Sequence, residues 1–78
     1  MKAGSDDFDK KAFQRNLGSQ IAKLRASRGF SQDRLCLEAG FARGTLSKIE
    51  SGLVDPKAST LARIAETLEI PIGKLITF

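Results

Sequence analysis

Apolar residues recur along most of this chain at intervals of three and four, the spacing that gathers side chains on one face of a helix. Phe13, Leu17, Ile21 and Leu24 follow at four, four and three, with Gln14, Arg15, Gln20 and Lys23 between them, which predicts an amphipathic first helix ending at Gly29. Asp9 or Asp7 can cap it. Gly18 lies inside this pattern at a cost of roughly 1 kcal/mol relative to alanine, so the helix starts near Lys10 or near Asn16. Residues 1–9, rich in Gly, Ser and Asp and without periodicity, read as a flexible acidic tail, leaving 10–78 as the domain.

Ser31 suits the N-cap of a second helix, which buries Leu35, Cys36 and Ala39 and stops where Gly40 can take the left-handed conformation of a tight turn. Phe41 then points back inward. A third helix, starting at about Ala42 or Arg43 and running to Glu50 (about 43–50), buries Leu46 and Ile49, and Gly52 ends it. Helices this short must pack on each other, and the small side chains of Cys36 and Ala39 sit where their backbones would approach. Pro56 disfavours helix at Asp55 and marks a loop. Ala58, Leu61, Ile64, Ala65 and Leu68 predict a fourth buried helix face, with Arg63, Glu66 and Glu69 outside. Pro71 suits the start of a short fifth helix that sets Ile72, Leu75 and Ile76 against the core.

The outer face of the third helix, with Arg43, Gly44, Ser47 and Lys48, has no apolar side chain to bury and is free to touch something else. Charge points the same way. Of 13 basic and 9 acidic residues, all but Lys2 and Asp6, Asp7 and Asp9 fall after residue 9, so the remainder carries 12 positive against 6 negative charges and suits a polyanion. With no histidine and one cysteine, the chain lacks the usual general bases and metal ligands, so neither an enzyme nor a metal or cofactor site is expected. That single cysteine forms no intramolecular disulfide, and no apolar run approaches signal-peptide or membrane-span length. A cytoplasmic protein is expected. A chain of 78 residues is one domain whose core needs every apolar face it has.

The pattern Gln32-x-x-Leu35-Cys36-x-x-Ala39-Gly40-Phe41-x-x-x-x-Leu46-x-x-Ile49-Glu50 resembles the helix-turn-helix of the phage repressor and Cro family, the XRE family of bacterial regulators. Thr60-Leu61-x-x-Ile64-Ala65-x-x-Leu68 also matches it, and the resemblance covers about Leu17 to Ile76. It implies an all-α, five-helix, lambda-repressor-like domain whose helices 2 and 3 form the motif, helix 3 lying in the major groove of double-stranded DNA. Arg43, Gly44, Ser47 and Lys48 then become base-reading positions, and Gln32, Thr45 and Lys57 phosphate contacts. Arg25 and Glu50 take the positions of a structural ion pair. A homodimer on a palindromic operator is implied, with Leu75, Ile76 and Phe78 at the C-terminus as its interface, although filling the core is preferred for Leu75. The function expected is sequence-specific transcriptional regulation. The alternative is an antitoxin or adaptor that holds a partner protein and autoregulates its operon, for which the acidic tail and the apolar C-terminus would serve. Three residues depart from the family pattern: Ala42 where a Ser or Thr usually caps the third helix, Gly44 where a polar reader often stands, and Glu69 where glycine usually ends the fourth helix.

Overall fold

The computed structural model describes residues 8–78. Four α-helices follow in order: α1 Lys10–Ser27, α2 Gln32–Ala39, α3 Thr45–Glu50 and α4 Ala58–Leu68, with a 3-10 helix at Ile72–Ile76. The expected fifth α-helix is therefore corrected to a 3-10 turn. Five residues between Pro71 and Thr77 leave room for little more than one turn, and the bond that forms is the tighter one from Lys74 N–H to Pro71 O at 3.0 Å.

Of the two candidate starts for α1, the structure takes the one at Lys10. Asp9 caps it, its carboxylate accepting from Ala12 N–H at 3.0 Å. The expected tail of residues 1–9 falls mostly outside the described residues; of its last two, Asp9 is part of the helix start, and Phe8 places its ring 5.9 Å from Phe13. Ser31 caps α2 through Arg34 N–H, and Gly40 ends it at φ 80°.

Leu17 and Ile21 of α1, Leu35 and Cys36 of α2, Leu46 and Ile49 of α3, and Ile64, Ala65 and Leu68 of α4 form one buried core, closed by Leu75. α1 packs on α3 and the 3-10 helix, while α2 packs on α3 and α4. Three expected core positions are corrected. Ala58, Ile72 and Ile76 are exposed, because α4 begins only at Ala58 and the 3-10 helix, with three residues per turn, turns a single side chain, Leu75, inward. α4 ends at Leu68 with Glu69 in the left-handed region (φ 59°, ψ 44°) that an L-residue enters at a penalty. What holds Glu69 there is the turn itself: Ile70 N–H reaches back to Ala65 O at 3.0 Å.

Candidate nucleic-acid interface

α3 has six residues, too few to be stable alone, so its orientation is imposed from outside. Leu46 and Ile49 anchor one side in the core, leaving Ser47 and Lys48 exposed on the other. Against its C-terminal end stands α1. A Cβ built on Gly18 would lie 2.5 Å from the carbonyl oxygens of both Ile49 and Glu50, so only glycine permits the last turn of α3 to rest on the α1 backbone.

The same end of α3 is locked by charge. Arg25 at the end of α1 donates from Nε to Glu50 Oε2 at 2.7 Å and from Nη2 to Glu50 Oε1 at 3.0 Å, a bidentate pair with side chains 17% and 6% exposed. Its third bond goes to Phe30 O at 2.7 Å, and Gln32 Nε2 donates to Glu50 Oε1 at 2.8 Å. One carboxylate thus joins the end of α1, the start of α2 and the end of α3. The hydrogen bond to Glu50 raises the Arg25 guanidinium above its ordinary pKa, outweighing the partial desolvation that lowers it, and the Glu50 charge adds to the rise.

The turn between α2 and α3 departs from the path that spacing alone implies. The third helix, expected over 43–50 with Arg43 in its first turn, starts at Thr45, and Gly44 is its N-cap at φ 87°. Ala42 supplies no side-chain oxygen to cap a helix there, and the left-handed Gly44 delays the helical path by two residues. Instead Ala42 O accepts from Thr45 N–H at 3.1 Å. Arg43 and Gly44 therefore sit on the turn ahead of α3. The Arg43 side chain is 88% exposed, with Nη2 3.5 Å from Asp33 Oδ2 in the first turn of α2. Sequence reasoning misses Asp33, since nothing in the spacing of ten residues signals the contact.

The remaining positions separate by accessibility. Thr45 is half-buried at the first position of α3; Lys57 is exposed at the N-cap of α4; Gln32 is half-buried, its amide already engaged with Glu50. Gln32 on α2, Arg43 and Gly44 on the turn, and Thr45, Ser47 and Lys48 on α3 lie on consecutive elements linked by the Gln32–Glu50 and Arg43–Asp33 contacts, whereas Lys57 stands beyond the next loop. At the C-terminus Leu75 is wholly buried in the protein's own core, which removes it from any contact surface. Ile76 and Phe78 are 54% and 55% exposed, and the Phe78 ring lies 5.7 Å from Phe13.

The helix-turn-helix family (HTH_3) matches residues 21–75, spanning all of α2, the turn, α3 and α4. The chain belongs to the helix-turn-helix family. Relatives include the uncharacterized HTH-type transcriptional regulator y4dJ of Sinorhizobium fredii, 33% identical over 61 residues that make up 78% of this chain and 79% of that protein. The HTH-type transcriptional regulator SlrR of Bacillus subtilis is also 33% identical, over 60 residues, 76% of this chain but only 40% of SlrR. The helix-turn-helix domain here thus spans under half the length of SlrR, and likewise 43% of the B. subtilis regulator RghRB. Among solved structures, the restriction-modification controller protein C.AhdI of Aeromonas hydrophila superimposes with a TM-score of 0.80 at 25% identity, covering 82% of this chain and 97% of C.AhdI. Among the described residues no helix is long and apolar enough to cross a membrane.

Proposed function

We propose that this protein is a sequence-specific regulator of transcription that binds double-stranded DNA with the outer face of α3 in the major groove. The observation that carries the reading is the division of α3 itself. Leu46 and Ile49 are buried and Glu50 is locked to Arg25, yet Ser47 and Lys48 face outward on a helix held rigid by its neighbours. A helix presented in this way can enter a groove without unfolding anything. In this reading Ser47 and Lys48 read base edges from α3, while Arg43 reaches a guanine from the preceding turn, beside a Gly44 that lets the backbone approach closely. Thr45 and Lys57 hold phosphates. Gln32 does so only with the amide proton that Glu50 leaves available.

One such module covers only a few base pairs, so the protein acts as a homodimer on a palindrome with half-sites about 34–36 Å apart. Ile76 and Phe78, more than half exposed, form part of its contact surface. The competing reading, an antitoxin or adaptor, places a partner protein on that same apolar end. Selection from a random DNA pool by the purified protein tests the reading. A palindromic consensus is expected; a pool left unenriched, with a stoichiometric protein partner recovered from the native host, would overturn it.

A further inference from the structure

Beside the C-terminal end of α3 lies an open groove of about 540 Å³, bounded on one side by Lys10, Lys11, Gln14 and Arg15 of α1 and on the other by the turn of residues 51–53. The two walls touch closely. A Cβ built on Gly52 would meet the Arg15 Cγ at 2.8 Å, and Gln14 Nε2 donates to Gly52 O at 3.1 Å, so the groove is fixed to α3 through the residues that end it. Lys10 also reaches across to Asp55 at 3.5 Å.

Three cations stand in the first two turns of α1, and the two in the first turn run against what helix stability favours. The first turn holds no acidic residue, and Lys10 and Lys11 stand where the positive end of the helix dipole disfavours positive charge. Asp9, the one acid just ahead of α1 among the described residues, is engaged by Ala12 N–H. Asp55 answers Lys10, but Lys11 and Arg15 have no ion-pair partner among the described residues, and charges left uncompensated mark a site with another use.

Position supplies that use. A helix with its side chains is about 10–12 Å across and fills a major groove about 12 Å wide, so whatever flanks α3 faces sugar and phosphate, not base edges. We infer that the groove between α1 and the 51–53 turn is a second backbone site, in which Lys11 and Arg15, with Lys10, take the phosphodiester oxygens of the DNA strand that flanks α3. The inference rests on α3 occupying the major groove, and it widens the footprint without adding base discrimination.

Lys11→Gln and Arg15→Gln, singly and together, are titrated with the selected duplex and with random duplex at several salt concentrations, beside the parent protein. Each single substitution removes two cations from the bound dimer, so it should make the log–log salt slope shallower by about 1.8, and the double variant by about 3.6, with both duplexes weakened in equal proportion. Lys11→Glu adds a signature that a merely structural lysine would not give: melting temperature rises by a few degrees as affinity falls. If Arg15→Gln disturbs the packing on Gly52, the exposed Lys11 variants carry the test alone. Variants that keep the parent's slope and affinity, on a parent that binds DNA, overturn this inference and leave the proposed function standing. A parent that binds neither duplex overturns both.

Discussion

Gly18→Ala should destabilise the protein, against the sign that helix propensity predicts. In an exposed helix the change would stabilise by roughly 1 kcal/mol. Here the new Cβ would lie 2.5 Å from two backbone oxygens, those of Ile49 and Glu50, and 2.8 Å from the Glu50 carbonyl carbon. None of these atoms has a rotamer through which to escape. α3 must withdraw by about 0.5 Å merely to reach 3.0 Å, and a gap of that order forfeits about a quarter of the dispersion attraction between Leu17 or Ile21 and Leu46 or Ile49. Overpacking costs about 1–3 kcal/mol, and a clash with rigid backbone belongs at the upper end. After the propensity gain, a net loss of about 2 kcal/mol remains, equivalent to a fall in melting temperature of about 8–16 °C for a domain of this size. Thermal unfolding followed by circular dichroism reads it directly. Gly73→Ala is the control, since nothing lies within 4 Å of its added methyl and its φ is ordinary; it should be neutral or slightly stabilising. A Gly18→Ala protein as stable as the parent would refute the close backbone packing of α1 on α3.

Glu50→Ala should lose about 3–5 kcal/mol in urea unfolding, because it strands Arg25 and frees Gln32 at once. Because the Arg25 pKa is raised on folding, the pair's contribution is complete below the ordinary guanidinium pKa and fades only as pH rises through the raised one. The stability gap between parent and Glu50→Ala should therefore be the same at pH 7 and pH 9, and a gap that shrinks across that range would refute this assignment. Glu69→Gly should stabilise by about 0.5–1 kcal/mol, the relief of a left-handed L-residue less the added entropy of an unfolded glycine, whereas Glu69→Ala should not. In DNA selection Arg43→Ala should relax preference at one base pair in each half-site, at a cost of about 1–3 kcal/mol on the preferred sequence, while Lys57→Ala weakens all sequences alike; an unchanged Arg43→Ala consensus would assign base reading to Ser47 and Lys48 alone.

The helices are legible in the sequence wherever burial enforces a period. Leu17 and Ile21, Leu35 and Cys36, Leu46 and Ile49, and Ile64, Ala65 and Leu68 all fall in the core as their spacing requires. Ala58, Ile72 and Ile76 share that apolar character but sit at helix boundaries, where period carries least information and the 3-10 turn changes it from 3.6 to three. Gly18 reads from sequence as a weak point in a helix; its purpose lies in packing against residues some thirty positions away. The displacement of Arg43 from α3 depends on the φ of Gly44, a freedom that glycine permits without dictating. The Asp33 interaction and the cationic groove beside α3 are not legible, because charged residues on an outer face carry no periodic constraint and only the fold brings them together.

The measurement closest to the central claim is an amide-shift titration of the isotope-labelled protein with its selected duplex, followed by two-dimensional NMR. The largest changes should fall on Gln32, on residues 43–48 and on Lys57, with residues 72–78 affected no more than the core. Changes centred on residues 72–78, with Ser47 and Lys48 unmoved, would contradict the placement of α3 in the major groove.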